Sequence, residues 1–85
     1  MELQLTEKFQ KKLLAKNQQR RAAVVETLLK LARNPHHPGL HVHKVKGSAQ
    51  VFESYVNSSD RVTFHFGRDC LILRNCCEHD IIKSP

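Results

Sequence analysis

Three features of the 85-residue chain predict an α+β domain: a short alternating segment at its start, two successive helical periods, and a remainder that alternates with period two between turn signals. The order β-α-α-β-β-β-β follows, as a twisted antiparallel sheet packed against two helices. Eighty-five residues leave room for one core, so residues 1–85 are read as a single domain. Hydrophobic residues make up 40% of the chain, and there are only three Gly and three Pro, which excludes a disordered or collagen-like protein.

Residues 1–5 alternate Leu3 and Leu5 with polar side chains and stop at Thr6, a good N-cap, with Glu7 placed to meet the helix dipole. Across residues 7–16 the apolar positions Phe9, Leu13 and Leu14 make a narrow stripe, and Asn17 offers a break or a second N-cap. The second helix is expected over residues 20–33, where Ala22, Val24, Val25, Leu28, Leu29, Leu31 and Ala32 recur at helical spacing before Asn34-Pro35 ends the period. His36-His37-Pro38-Gly39 is a loop. Four strands are then expected over residues 40–46, 51–56, 61–66 and 70–77, separated by Gly47, by Asn57-Ser58-Ser59-Asp60 and by Gly67-Arg68-Asp69. In the third of these, Val62, Phe64 and Phe66 take the core face, while Arg61, Thr63 and His65 take the other.

Charge narrows the class of partner. Fourteen Lys and Arg against eight Asp and Glu leave +6, so an acidic partner is expected. Residues 1–33 hold eight basic and three acidic side chains, whereas all six histidines lie after residue 35. Side chains able to exchange protons near neutral pH are therefore concentrated in the sheet half. The apolar runs are too short to cross a bilayer and residues 1–20 do not read as a signal peptide, so no membrane association is expected. Three cysteines, two of them the adjacent Cys76 and Cys77, suggest free thiols in a reducing cytoplasm.

Gly39-Leu40 before His43-Lys44-Val45-Lys46-Gly47, Asp60-Arg61-Val62 at the head of an apolar strand, Leu71-Ile72-Leu73, and a closing His79-Asp80 together form a pattern. That pattern resembles the RelE/ParE superfamily of type II toxins, which includes YafQ-like and RelE-like messenger RNA interferases and plasmid stabilisation proteins. The resemblance implies a metal-independent endoribonuclease with no cofactor, acting on mRNA at the ribosome through attack by the ribose 2′-OH. It also implies an acidic cognate antitoxin, and operator DNA as a partner of the toxin–antitoxin complex. Residue by residue, it assigns catalysis to His43, Asp60, Arg61 and His79, and RNA binding to Lys44, Lys46, His65, Tyr55 and Lys83. Such residue types suit the reaction: a base takes the 2′-OH proton, an acid protonates the leaving 5′-oxygen, and an arginine grips the phosphate.

Two departures from the family pattern stand out. Ile81, Ile82 and Lys83 occupy the place of an aromatic that nucleases of the family carry after the last histidine. The paired lysines of RelE are absent from residues 52–56, where Tyr55 is the available stacking group. These departures keep two other functions open, a ParE-like protein that binds DNA gyrase without chemistry and a degenerate module that binds antitoxin or operator. A zinc site from His41, His43, Cys76, Cys77 and His79 is disfavoured, because adjacent cysteines on a strand point to opposite faces. His36, His37 and His41 are read as surface or hydrogen-bonded histidines, and the lysines and arginines of residues 8–21 as a solvated helical face.

Overall fold

The computed structural model describes residues 1–78. Strand β1 (Glu2–Leu5) leads into helices α1 (Glu7–Leu14) and α2 (Gln18–Arg33). A single 3₁₀ turn, Pro38–Leu40, precedes strands β2 (His43–Lys44), β3 (Phe52–Tyr55), β4 (Asp60–Phe66) and β5 (Cys70–Glu78). The caps act as the sequence suggests. Thr6 Oγ1 accepts from Phe9 N at 3.2 Å and donates to Leu73 O at 2.9 Å, which fixes the start of α1 to the sheet. Asn17 Oδ1 accepts from Arg20 N at 2.9 Å and so begins a new helix only three residues after α1 ends.

The sheet runs in the order β1-β5-β4-β3-β2. Strands β2 to β5 form an antiparallel meander, but β1 pairs in parallel with β5, Glu2 lying opposite Cys70 and Leu5 opposite Leu73. The sheet is therefore mixed rather than wholly antiparallel. The two helices carry the chain to the far edge, and three hairpin reversals return it beside β1 in the direction of β1. The expected strand over residues 40–46 shrinks to a two-residue pairing, because Leu40 belongs to the 3₁₀ turn and His41 has left-handed backbone (φ 47°), which interrupts extension.

One helix stripe and one sheet face make the core. Val24, Leu28 and Leu31 of α2 and Phe9 of α1 pack with Leu40, Val62, Phe64, Leu71, Leu73 and Cys76. Val62 and Phe64 are fully buried as their spacing predicts, whereas Phe66 remains 41% exposed. The cause is register: Phe64 is opposite Phe52, the first residue of β3, so β4 runs two residues past the end of its neighbour.

A bulge divides the long strand β5. Thr63 is opposite Asn75 and Phe64 opposite Leu73, so Arg74 has no counterpart on β4. Leu71, Leu73 and Cys76 therefore share the core-facing rows of Phe64 and Val62, while Ile72, Asn75 and Cys77 share the rows of His65, Thr63 and Arg61 on the other face. The adjacent cysteines do diverge, and both are buried free thiols. Cys76 donates to Phe9 O at 3.7 Å, and burial pushes its pKa up to about 11.

Between helices and sheet sits one buried carboxylate. Asp60 is 1% exposed and accepts from Arg20 Nε at 3.1 Å, from Arg20 Nη2, and from Lys16 Nζ at 3.4 Å. Hydrogen bonding to Arg20, reinforced by the nearby Lys16 charge, holds its carboxyl below the usual range against the opposing effect of burial. Lys16 and Arg20 are thus not part of a purely solvated face. Removing one partner of a buried ion pair leaves uncompensated charge, so Asp60→Ala should lower stability by about 3 kcal/mol in urea unfolding. Because the folded pKa is depressed, this contribution is present above the ordinary carboxylate range and is lost as pH falls below about 4. Asp60→Asn should correspondingly flatten the acid limb of a stability–pH curve. In the same native protein at pH 8, Cys76 should be modified by thiol reagents about 100-fold more slowly than in urea, read by mass spectrometry.

Candidate functional site

The sheet face turned away from the helices gathers polar groups from three adjacent strands. His43 of β2 is paired with Glu53 of β3, Glu53 with Thr63 of β4, and Tyr55 with Arg61 of β4. Glu53 Oε1 lies 3.5 Å from Arg61 Nε and 3.9 Å from His43 Nε2. Its side chain is only 8% exposed, against 14% for Arg61 and 60% for His43. A recessed carboxylate is thus flanked by one guanidinium and one accessible imidazole.

Local geometry fixes each of these groups. Asn57 closes the β3–β4 turn by accepting from Ser59 N at 2.9 Å and Asp60 N at 2.7 Å. Arg61 Nη1 donates back to Asn57 O and, at 2.9 Å, to Asp60 O, while its guanidinium lies 4.7 Å from the centre of the Tyr55 ring. These bonds use Nη1 and leave Nη2 uncommitted among the described residues. His43 Nδ1 is 2.8 Å from His41 O. Since a carbonyl can only accept, Nδ1 carries the proton and Nε2 is the basic nitrogen that faces Glu53. His65 has the opposite arrangement: Arg74 Nη1 is 3.1 Å from its Nδ1, and because a guanidinium can only donate, His65 accepts there and carries its proton on Nε2.

The sequence-derived site residues are only partly united. His43, Tyr55, Arg61 and His65 do share the open face. Asp60 does not, since it points between the helices and is engaged by Arg20 and Lys16. Lys44 and Lys46 are exposed, Lys44 opposite Phe52 and so on the helix-side row of β2, away from His43, and Lys46 in the following loop. His79 and Lys83 lie outside the described residues. Sequence reasoning missed Glu53 and Arg74. The signal for Glu53 was a lone acid inside an otherwise apolar and hydroxylated strand, two residues before Tyr55 and therefore on the same face. Among the described residues, no cluster of three His, Cys, Asp or Glu side chains could hold a metal ion.

A second surface is apolar. Val25 and Leu29 of α2 are 42% and 57% exposed, and with Gln18, Arg21, Ala22 and Glu26 they line a groove of about 630 Å³. No helix among the described residues is long and apolar enough to cross a membrane.

No protein-family model and no curated protein matches the sequence. Solved structures do match. A YoeB/ParE toxin from Agrobacterium tumefaciens superposes with a TM-score of 0.77 at 15% identity, covering 93% of this chain and 99% of that one. The chain has the RelE/ParE toxin fold. A toxin–antitoxin complex from Mycobacterium tuberculosis (TM-score 0.76, 16% identity, 92% and 96% of the two chains) is similarly close. So is YafQ from E. coli (0.74, 14%, 98% of each chain). Within this RelE/ParE fold, the open face described above depends on the β3–β4 turn. Asn57→Ala, which removes the acceptor for two backbone amides, should cost about 1–2 kcal/mol in denaturant unfolding.

Proposed function

We propose that the protein is the toxin of a type II toxin–antitoxin system and a metal-independent endoribonuclease whose site is the open sheet face. The observation that carries this reading is the convergence of His43, Glu53 and Arg61 from three strands, with Glu53 Oε1 within 3.9 Å of both the imidazole and the guanidinium. The fold it shares with the toxins named above adds support.

In this reading His43 Nε2 takes the proton from the ribose 2′-OH. The 2′-oxygen then attacks phosphorus and the bond to the 5′-oxygen breaks, leaving a 2′,3′-cyclic phosphate and a 5′-OH. Glu53 stabilises the imidazolium that forms and holds Arg61, whose free Nη2 meets the phosphate oxygens. His79, the residue after Glu78 in the sequence and outside the described residues, is assigned as the acid for the leaving oxygen. Asp60 is assigned a structural role because its oxygens are occupied on the helix side. Tyr55, His65, Lys44, Lys46 and Lys83 contribute to the RNA path, with mRNA on the ribosome as substrate and the cytoplasm as compartment.

The cognate antitoxin is proposed to be acidic, on the chain's net charge of +6, and to cover the Val25–Leu29 groove, whose exposed apolar side chains are flanked by Arg21 and Glu26. Binding should then weaken with added salt. The toxin–antitoxin complex is the form expected on operator DNA.

Expression should arrest growth, and His43→Ala, Glu53→Ala, Arg61→Ala and His79→Ala should each relieve the arrest while remaining folded. Loss of a general acid or base should slow cleavage by about 10² or more. Primer extension on message from arrested cells decides the matter. Discrete cuts that vanish in His43→Ala support the nuclease, and chelators should leave them in place. Arrest with intact message and inhibited gyrase would instead make the protein a ParE-like gyrase binder.

A further inference from the structure

Phe66 is an unusual residue to leave half in water, and its surroundings suggest what covers it. The β2–β3 loop and the end of β4 enclose a groove of about 360 Å³ lined by Lys44, Ala49, Gln50, Phe52, His65 and Phe66. Its floor is an aromatic cluster: Phe66 stands edge-on to Phe52 at 5.3 Å and to Phe64 at 5.7 Å, with Phe64 fully buried beneath. Rigid packing on one side and exposure on the other make Phe66 a preformed stacking platform. Among the described residues that line the groove none is acidic, and Lys44 and His65 supply positive or proton-donating groups. Gln50 adds an amide able to donate and accept at once.

We infer that this groove holds one unstacked nucleobase of a single-stranded RNA, seated against Phe66, with Lys44 on the adjoining phosphate and Gln50 at the base edge. The inference rests on the ribonuclease reading for its biological substrate and deepens it by naming a base-recognition pocket at the end of β4, adjoining the open face through His65. Position supports it. Phe66, Phe52 and Lys44 belong to the helix-side rows of the sheet, but His65 beside Phe66 shares the face of Thr63 and Arg61, so the groove lies at the end of β4 where the two faces meet. Volume supports it too, since 360 Å³ is near the lower end of small-ligand pockets, about 300–1,000 Å³. The groove suits a flat, planar group attached to an anion, and the sum of an aromatic face, a lysine and an amide is the usual chemistry of base capture.

The test titrates the intact protein with AMP, GMP, CMP and UMP, and separately with ribose 5-phosphate and inorganic phosphate, while amide NMR shifts are followed. Mononucleotides should shift the signals of Gln50, His65 and Phe66, and the two base-free anions should not. Phe66→Ala should weaken nucleotide binding roughly 5- to 150-fold, and Phe66→Trp should retain it. Because Phe66 belongs to an aromatic cluster, Gln50→Ala serves as the second variant: it lies in an exposed loop and should change the preference among the four bases without changing the melting temperature. Equal shifts from ribose 5-phosphate overturn the base pocket in favour of a simple anion site, and the absence of shifts with every nucleotide overturns it outright. Message cleavage in cells is read independently. A protein that cuts message but shows no base-dependent shifts retains the nuclease and loses the pocket, and the converse result retains the pocket and removes the nuclease.

Discussion

The Asp60 carboxylate organises this small domain. Lys16, in the α1–α2 connection, and Arg20, in the first turn of α2, both reach it from above, and Asn57 reaches it from the β3–β4 turn below. A buried charge of this kind is stable only with its partners in place, so it fixes where the helical layer sits on the sheet. It also shapes the opposite face. Asp60 N is held by Asn57, and the carbonyls of Asn57 and Asp60 hold the Arg61 guanidinium, so a helix-side ion pair and a solvent-side cation are anchored by the same turn.

The two faces are kept distinct by a simple parity argument with one correction. Adjacent residues on a strand point to opposite sides, so Asp60 and Arg61 cannot both join one site. Over nine residues, however, β5 would lose registry between its apolar and polar sets without an insertion. The bulge at Arg74 makes that adjustment: Leu71 and Leu73 before it and Cys76 after it all remain against the helices. The extra residue is itself used, since Arg74 donates to His65 on the open face.

Much of this was legible in the sequence, for identifiable reasons. The helices declared themselves through Thr6 and Asn17 as caps and through a 3.6-residue apolar period ending at Asn34-Pro35, all of them local signals. The hairpins were legible from Asn57 to Asp60 and from Gly67 to Asp69, the latter with Asp69 in left-handed backbone (φ 59°). The parallel pairing of β1 with β5 was not, because period two is the same for parallel and antiparallel neighbours. Nor was the shortness of β2, which depends on the backbone of His41. At the candidate site, His43 and Arg61 are singled out through the family resemblance, and they lie on one sheet face. The separation of Asp60 from Arg61 follows from parity only once β4 is seen to begin at Asp60 rather than after it, while Glu53 required knowing that β3 lies between β2 and β4, which only the sheet order supplies.

Charge balance explains why the site needs the rest of the molecule. Apart from His43, Arg61 and Glu53 cancel, and in the proposed reaction a phosphate approaching Arg61 competes with a carboxylate 3.5 Å from Nε. Contact with that pair alone gives little long-range attraction for a polyanion. On the proposed reading the attraction comes from the surrounding excess, including Arg74 on the face, Lys46 in the β2–β3 loop, Lys44 on the reverse side of β2, and the basic N-terminal third. In the proposed cleavage, proton uptake by His43 changes the local balance by one unit beside the phosphate as the 2′-oxygen attacks, when negative charge builds on the phosphoryl oxygens. On that reading a site that gains positive charge during the proton transfer spends its electrostatic stabilisation on the transition state rather than on bound substrate, which is the condition for acceleration rather than mere affinity.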